Sequence, residues 1–365
     1  MNATISLTPL IYRPDYEKIQ DDEGDTLKEL VETLQEISDI TSKDYGRAVR
    51  SVHAKPHGLI RGKLTIKRDL PDFLKQGIFA SEGIYPAIMR FSTSPGDIMH
   101  DSVSTPRGIA IKLMGVEGER LTGEPTSRTQ DFLMVNGPAF LKPDAKSFVP
   151  GLKLLAKTTD KAEGLKRVFS AVLRGTERLI ERLGGESPTI KSLGGHPQTN
   201  ILGETFFTQV PLLYGKYMAK FSLVPIAPEL TALKDAPLEA GKENGIREAV
   251  SAFFKTHTAK WELRAQLCTN IETMPIEDAS VVWPEVESPY IAVATLEATP
   301  QVSWDDATFP QIEDRLTFSP WNGVQDHRPL GSVMRARRHV YQSSSNFRKQ
   351  FNGCPMTEIN ALEEV

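Results

Sequence analysis

Two cysteines, Cys268 and Cys354, are all that 365 residues carry. Their wide separation, without a C-x-x-C pair, argues against a disulfide framework or a thiolate zinc cluster and suits a reducing compartment. No run approaches the ~20 apolar residues of a membrane span. The N-terminus, MNATISLTPLIYRPDYEKIQ, lacks the basic start and apolar core of a signal peptide, so a cytoplasmic protein is expected. Charge of one sign is not in excess either: 43 Lys and Arg face 47 Asp and Glu, a formal net charge of -4, and no nucleic-acid partner is expected. Nucleotide and hydrolase signatures are missing as well. GLIRGKL has too few residues between its glycines and a leucine after the lysine, so it is no P-loop, and neither H-E-x-x-H nor G-x-S-x-G occurs.

What is present is the profile of a globular chain, 39% hydrophobic and 25% charged, long enough for two domains or for one large barrel with helical additions. Twenty-five prolines and 26 glycines imply many turns. Leu27, Leu30, Val31, Leu34, Ile37 and Ile40 recur at helical spacing behind Asp25, a candidate cap. Strand-like segments follow: LIRGKLTI, YPAIMRFST, RGIAIKLMGV and DFLMVN. Residues 143–184 return to helical periodicity, through Leu165, Val168, Phe169, Val172, Leu179 and Leu183. The opposite face carries Lys166, Arg167, Arg174, Arg178 and Arg182 and reads as solvated rather than as a membrane-contact surface. Strands resume at YMAKFSLVPI, KWELRAQLCT and YIAVATLEA, and a last helix is expected from Leu330 to Phe351, stopped by Gly353. Seven or eight strands in two batches predict an α+β chain built on a closed antiparallel β-barrel with appended helices.

A histidine stands between an arginine and a lysine in RSVHAKPHG, residues 50–58. Taken alone, a histidine beside a strand is more often a packed residue than a catalyst. On the last helix Arg337 and Tyr341 are four apart and share a face, with Arg348 two turns further on roughly the same side. A free tyrosine titrates near ~10, so ionising it at pH 7 costs about 4 kcal/mol, which a ferric ion and an adjacent guanidinium could supply. From that helix alone, an exposed Arg-rich helix with one packed tyrosine is the simpler reading.

The segments RSVHAK, MRFST, TPRGIAIKL, NGPAF, KSFVP and RARRHVY occur in the order in which haem catalases carry their counterparts. Over residues 45–348 the chain resembles the catalase superfamily, and with only 24 residues after Tyr341 it looks like the short, catalase-related branch of peroxidases. The resemblance implies an eight-stranded barrel, with an N-terminal arm and helix at 1–45, a haem-binding barrel domain with the proximal helix at 46–348, and a tail at 349–365. It implies ferric haem b as cofactor, with His53 as the distal histidine, Ser92 orienting it, and Arg50, Arg90 and Arg348 meeting the propionates. Val52 and Phe148 would lie against the porphyrin, Tyr341 would ligate the iron and Arg337 would partner its phenolate. Asn136 matches the distal asparagine only with a one-residue deletion, since an ungapped alignment puts Val135 there. Thr105 and Pro56 also depart from the usual pattern.

The activity implied is reduction of hydrogen peroxide or an organic hydroperoxide, with an organic electron donor as the second small-molecule partner and residual catalase activity. The resemblance also admits a fatty-acid hydroperoxide isomerase or lyase, and the barrel alone admits a non-enzymatic haem-binding protein. A homodimer is compatible with the sequence.

Overall fold

A computed structural model describes residues 7–103, 105–121, 127–158, 197–239 and 241–353. Nine strands form one antiparallel sheet: β1 (Pro56–Ile66), β2 (Ile84–Thr93), β3 (Arg107–Met114), β4 (Thr129–Val135), β5 (Phe206–Phe207), β6 (Leu212–Tyr214), β7 (Tyr217–Pro225), β8 (Ala259–Leu267) and β9 (Ile291–Ala298). Their order is β5-β4-β3-β2-β1-β9-β8-β7-β6, and β5 also pairs with β7 through Phe206↔Leu223 and Phe207↔Ser222. That pairing closes an eight-stranded ring and leaves β6 as a flap on β7. Closure removes the edges of the ring, and the three-residue β6 flap keeps a short one.

All seven strands expected from alternation and apolar runs are present. The two missed, β5 and β6, are only two and three residues long, too short for a period to show. Alternation along β2 sends Met89 and Phe91 into the barrel, which they fill with Ile111, Phe132, Phe221 and Trp261. The same alternation turns Arg90 and Ser92 to the outer wall.

Among the described residues six α-helices decorate the barrel: α1 (Glu23–Tyr45), α2 (Ala145–Thr158), α3 (Pro228–Thr231), α4 (Gly245–Phe254), α5 (Phe309–Arg315) and α6 (Ser332–Asn352). The first begins before the expected Asp25. Its N-cap is Asp22, whose carboxylate pairs with Lys146 instead of capping. Leu30, Leu34 and Ile37 of α1 pack against Val149 and Leu152 of α2 and Ala336 and Val340 of α6. At its start, α6 is tied down by Arg335, bonded to Glu17, Glu23 and Glu277. It ends at Gly353, which takes the left-handed conformation (φ 60°) of a helix-stopping glycine. The apolar repeat at 165–183, its basic face and Cys354 lie outside the described residues. No helix among the described residues is long and apolar enough to cross a membrane.

Candidate active site

The segment before β1 runs across the outer barrel wall with His53 at its crest. His53 has φ 54°, a left-handed conformation that costs a non-glycine residue about 1–2 kcal/mol. Three hydrogen bonds hold the segment there: His53 N–H to Ser94 O (2.9 Å), Ala54 N–H to Pro95 O (2.9 Å), and Arg90 Nη2 to His53 O (2.9 Å). The imidazole then lies over Gly108, where a Cβ would come within 2.6 Å of His53 Cε1. Only glycine lets the ring this close to β3. Nδ1 is 3.0 Å from Ser92 Oγ, while Nε2 has no hydrogen-bond partner among the described residues.

The ring borders a cavity that, with its open mouth included, encloses about 790 Å³. One wall is the outer face of the barrel. Ser92 pairs with Gly108 and Gly108 with Val135, while Arg90 pairs with Ala110 and Ala110 with Leu133, so two cross-strand rows build that wall. Helix α6 supplies Arg337, Val340, Tyr341 and Arg348, and Phe318 closes another side. Arg50, Val52, His53, Arg90, Ser92, Arg337, Tyr341 and Arg348, drawn from segments up to 298 residues apart, therefore share one cavity.

Its electrostatics are cationic. Burial, reinforced by Arg90, Arg337 and Arg50, lowers the His53 pKa to about 3, so the ring is neutral at physiological pH. Burial and Arg90 push the Arg50 guanidinium well below its ordinary range. The counter-charge comes from Glu313 of α5, 3% exposed, which forms ion pairs with Arg50 and Arg90. Burial opposes its charge, yet Arg50 and Arg90 win and hold the carboxyl below its usual range.

Three expected positions come out differently. Asn136 does not line the cavity: it follows Val135 on the ladder, and strand alternation turns it to the other face. There its Oδ1 accepts from Arg107 N–H (2.9 Å) and its Nδ2 donates to Glu204. Val135 lines the wall in its stead. Phe148 is absent from the lining too; it packs against the cluster shared by α1, α2 and α6, its ring tilted against Phe140 with centroids 5.2 Å apart. Arg337 shares the wall with Tyr341, but its guanidinium lies over the Phe140 ring, 5.7 Å from the centroid, and makes no hydrogen bond to the tyrosine hydroxyl. Glu313 itself went unnoticed in the sequence, where PQIEDR is one of many acidic surface-like stretches.

No protein-family model matches the sequence, and no curated protein does. Among solved structures the chain is similar to a fungal catalase, at 18% identity and TM-score 0.60 over 99% of this chain and 69% of that one. It is likewise similar to catalase A from Saccharomyces cerevisiae (16%, TM-score 0.58, 99% and 71%) and to a bacterial catalase (16%, TM-score 0.55, 98% and 67%). The chain thus has a catalase-like fold, a closed eight-stranded antiparallel barrel with appended helices.

Proposed function

We propose that this chain is a haem-dependent hydroperoxidase that reduces organic hydroperoxides in preference to hydrogen peroxide, with electrons from an organic donor. The observation that carries the reading is the meeting, in one cavity, of a histidine with an unpartnered Nε2, a tyrosine and an arginine cluster. These residues fit a haem. Gly108 leaves room for the imidazole, and the guanidiniums of the lining suit the carboxylates of a porphyrin. Among the described residues no group of three or more His, Cys, Asp or Glu side chains is placed to hold a metal ion, so a metal at Tyr341 would draw its remaining ligands from a macrocycle. Tyr341 would hold the iron, and Arg50 and Arg348 the carboxylates. When bound, the haem supplies a ferric Lewis acid and the electrons that break an O–O bond.

The chain's own task is proton movement and orientation. With the Nδ1 proton given to Ser92 Oγ, His53 Nε2 presents a lone pair that takes a proton from the hydroperoxide and returns it to the departing oxygen. A pKa of about 3 makes a weak base; carboxylates brought to Arg50 and Arg348 offset part of the positive field that depresses it. Substrate preference follows from Val135, Leu133 and Phe318. They give the wall apolar surface where an amide donor would otherwise grip a small hydrophilic peroxide, which suits a hydroperoxide with an apolar substituent.

The test is turnover by one haem-loaded preparation. Oxidation of an aromatic donor with cumene hydroperoxide should outpace oxygen release from hydrogen peroxide. Vigorous oxygen release with negligible donor oxidation would overturn the preference.

A further inference from the structure

The arginine expected to meet a propionate, Arg90, already has its partners inside the protein. It is 2% exposed. Its Nε lies 2.8 and 3.0 Å from the two carboxylate oxygens of Glu313, its Nη2 is 2.7 Å from Glu313 Oε1, and the same Nη2 donates to His53 O at 2.9 Å and Ala54 O at 3.4 Å. A chain of contacts therefore runs from a carboxylate on α5, through a guanidinium on β2, to the carbonyl of the one residue in this segment with a left-handed backbone. Such a conformation persists only where its surroundings over-determine it. An arginine without a fixed counter-ion would be free to swing toward any acid in the cavity; bound side-on by Glu313, it is not.

We infer that Glu313 is a positioning residue for His53, acting through Arg90, and that Arg90 braces the His53 backbone instead of anchoring a carboxylate of the cofactor. The role rests on the hydroperoxidase reading, in which His53 is the proton carrier. Arg50 and Arg348 are left as the carboxylate-binding pair. Glu313 also bonds Arg50, but Arg50 keeps its place through Leu316 O (2.8 Å), a contact that does not depend on the Glu313 side chain. Of the neighbouring charges, Arg47 and Asp314 pair with each other at 3.4 Å, while Arg348 acts on Glu313 through its field.

The experiment substitutes Glu313→Gln in the full chain and reads two things. In apoprotein with ¹⁵N-labelled histidine, the wild type should give one sharp set of His53 ring resonances, and the variant a broadened or doubled set as the ring leaves its seat over Gly108. In haem-loaded protein, the bimolecular rate with hydroperoxide should fall on the order of 10²-fold, the usual effect of a misplaced catalytic group, while transfer of haem to apomyoglobin changes less than about threefold, well short of the tenfold that each 1.4 kcal/mol of lost binding gives. Should the single variant not fold, the pair Arg90→Gln/Glu313→Gln, which removes one buried charge of each sign, is read by the same measures with the same expectation. Unchanged resonances and an unchanged rate would overturn the inference. So would a haem-transfer rate rising in step with the loss of activity, which would give Arg90 and Glu313 to cofactor anchoring. A wild-type chain that takes up no haem would instead sink the hydroperoxidase reading and leave the resonance measurement to decide on the brace.

Discussion

His327 is fully buried and His53 half-buried beside the cavity, and burial lowers the pKa of both, to about 4 and about 3. Their surroundings have little else in common. His327 sits inside the barrel, fully buried, among Phe79, Phe132, Tyr214 and Phe221. Both its nitrogens are used: Nδ1 donates to Leu213 O (3.2 Å) and Nε2 accepts from Ile78 N–H (3.1 Å), which fixes the tautomer. His53 sits on the outer wall with a left-handed backbone, one nitrogen on Ser92 and the other, against a cavity, without a partner among the described residues. A depressed pKa does not separate a structural histidine from a candidate proton carrier. The unspent hydrogen-bonding capacity does, together with the strain that the fold keeps in place around it.

Substitution should split the two residues most sharply. His53→Ala is expected to slow hydroperoxide cleavage ~10²- to 10⁴-fold with the thermal midpoint moved little, because positioned acid–base catalysis is lost while the ring's own contacts, over Gly108 and to Ser92, are few. His327→Ala should do the reverse, costing about 2–5 kcal/mol of stability through a core cavity and two orphaned backbone groups, with the rate per folded, haem-loaded molecule unchanged. Stopped-flow rates and denaturant unfolding on both variants check this. A rate loss in His327→Ala equal to that in His53→Ala would erase the distinction.

Acid should treat the two alike. Each folded-state pKa lies below the unfolded value near ~6.5, so as pH falls through 6.5 the unfolded chain takes up protons that the native state refuses. Stability is lost from about pH 6.5 down to about 4 for His327 and about 3 for His53, then levels off for each. Replacing either with glutamine should flatten that limb of a stability–pH curve. An unflattened limb in His53→Gln would mean that His53 is protonated in the native protein.

The smallest expected effect concerns Asn136, which faces Arg107 and Glu204 rather than the cavity. Asn136→Ala should cost about 1 kcal/mol of stability and leave peroxide kinetics within about twofold, far below the ~10²-fold loss expected of a catalytic donor. A large kinetic defect would return Asn136 to the site.

Much of the barrel was legible in the sequence because each long strand carries its own period, and α6 because its apolar and basic positions repeat every three or four residues. Ring closure was not, since two-residue β5 has no period to read. The site's members were legible only as an ordered set of family-like segments. Between Val135 and Asn136 the sequence left a choice that register alone resolves, through the pairing of Gly108 with Val135. Glu313 left no local mark at all, since its partners Arg90 and Arg50 are 223 and 263 residues away.

The central claim, a tyrosine-held haem under His53, is tested most directly by titrating ferric haem into the apoprotein and into Tyr341→Phe, with absorption spectra recorded before and after a pulse of cumene hydroperoxide. The account predicts stoichiometric uptake by the wild type with a high-spin ferric spectrum that changes on peroxide addition, and weak uptake without that change in Tyr341→Phe. A wild-type chain that stays colourless, or a Tyr341→Phe variant that binds haem and reacts as the wild type does, would contradict it.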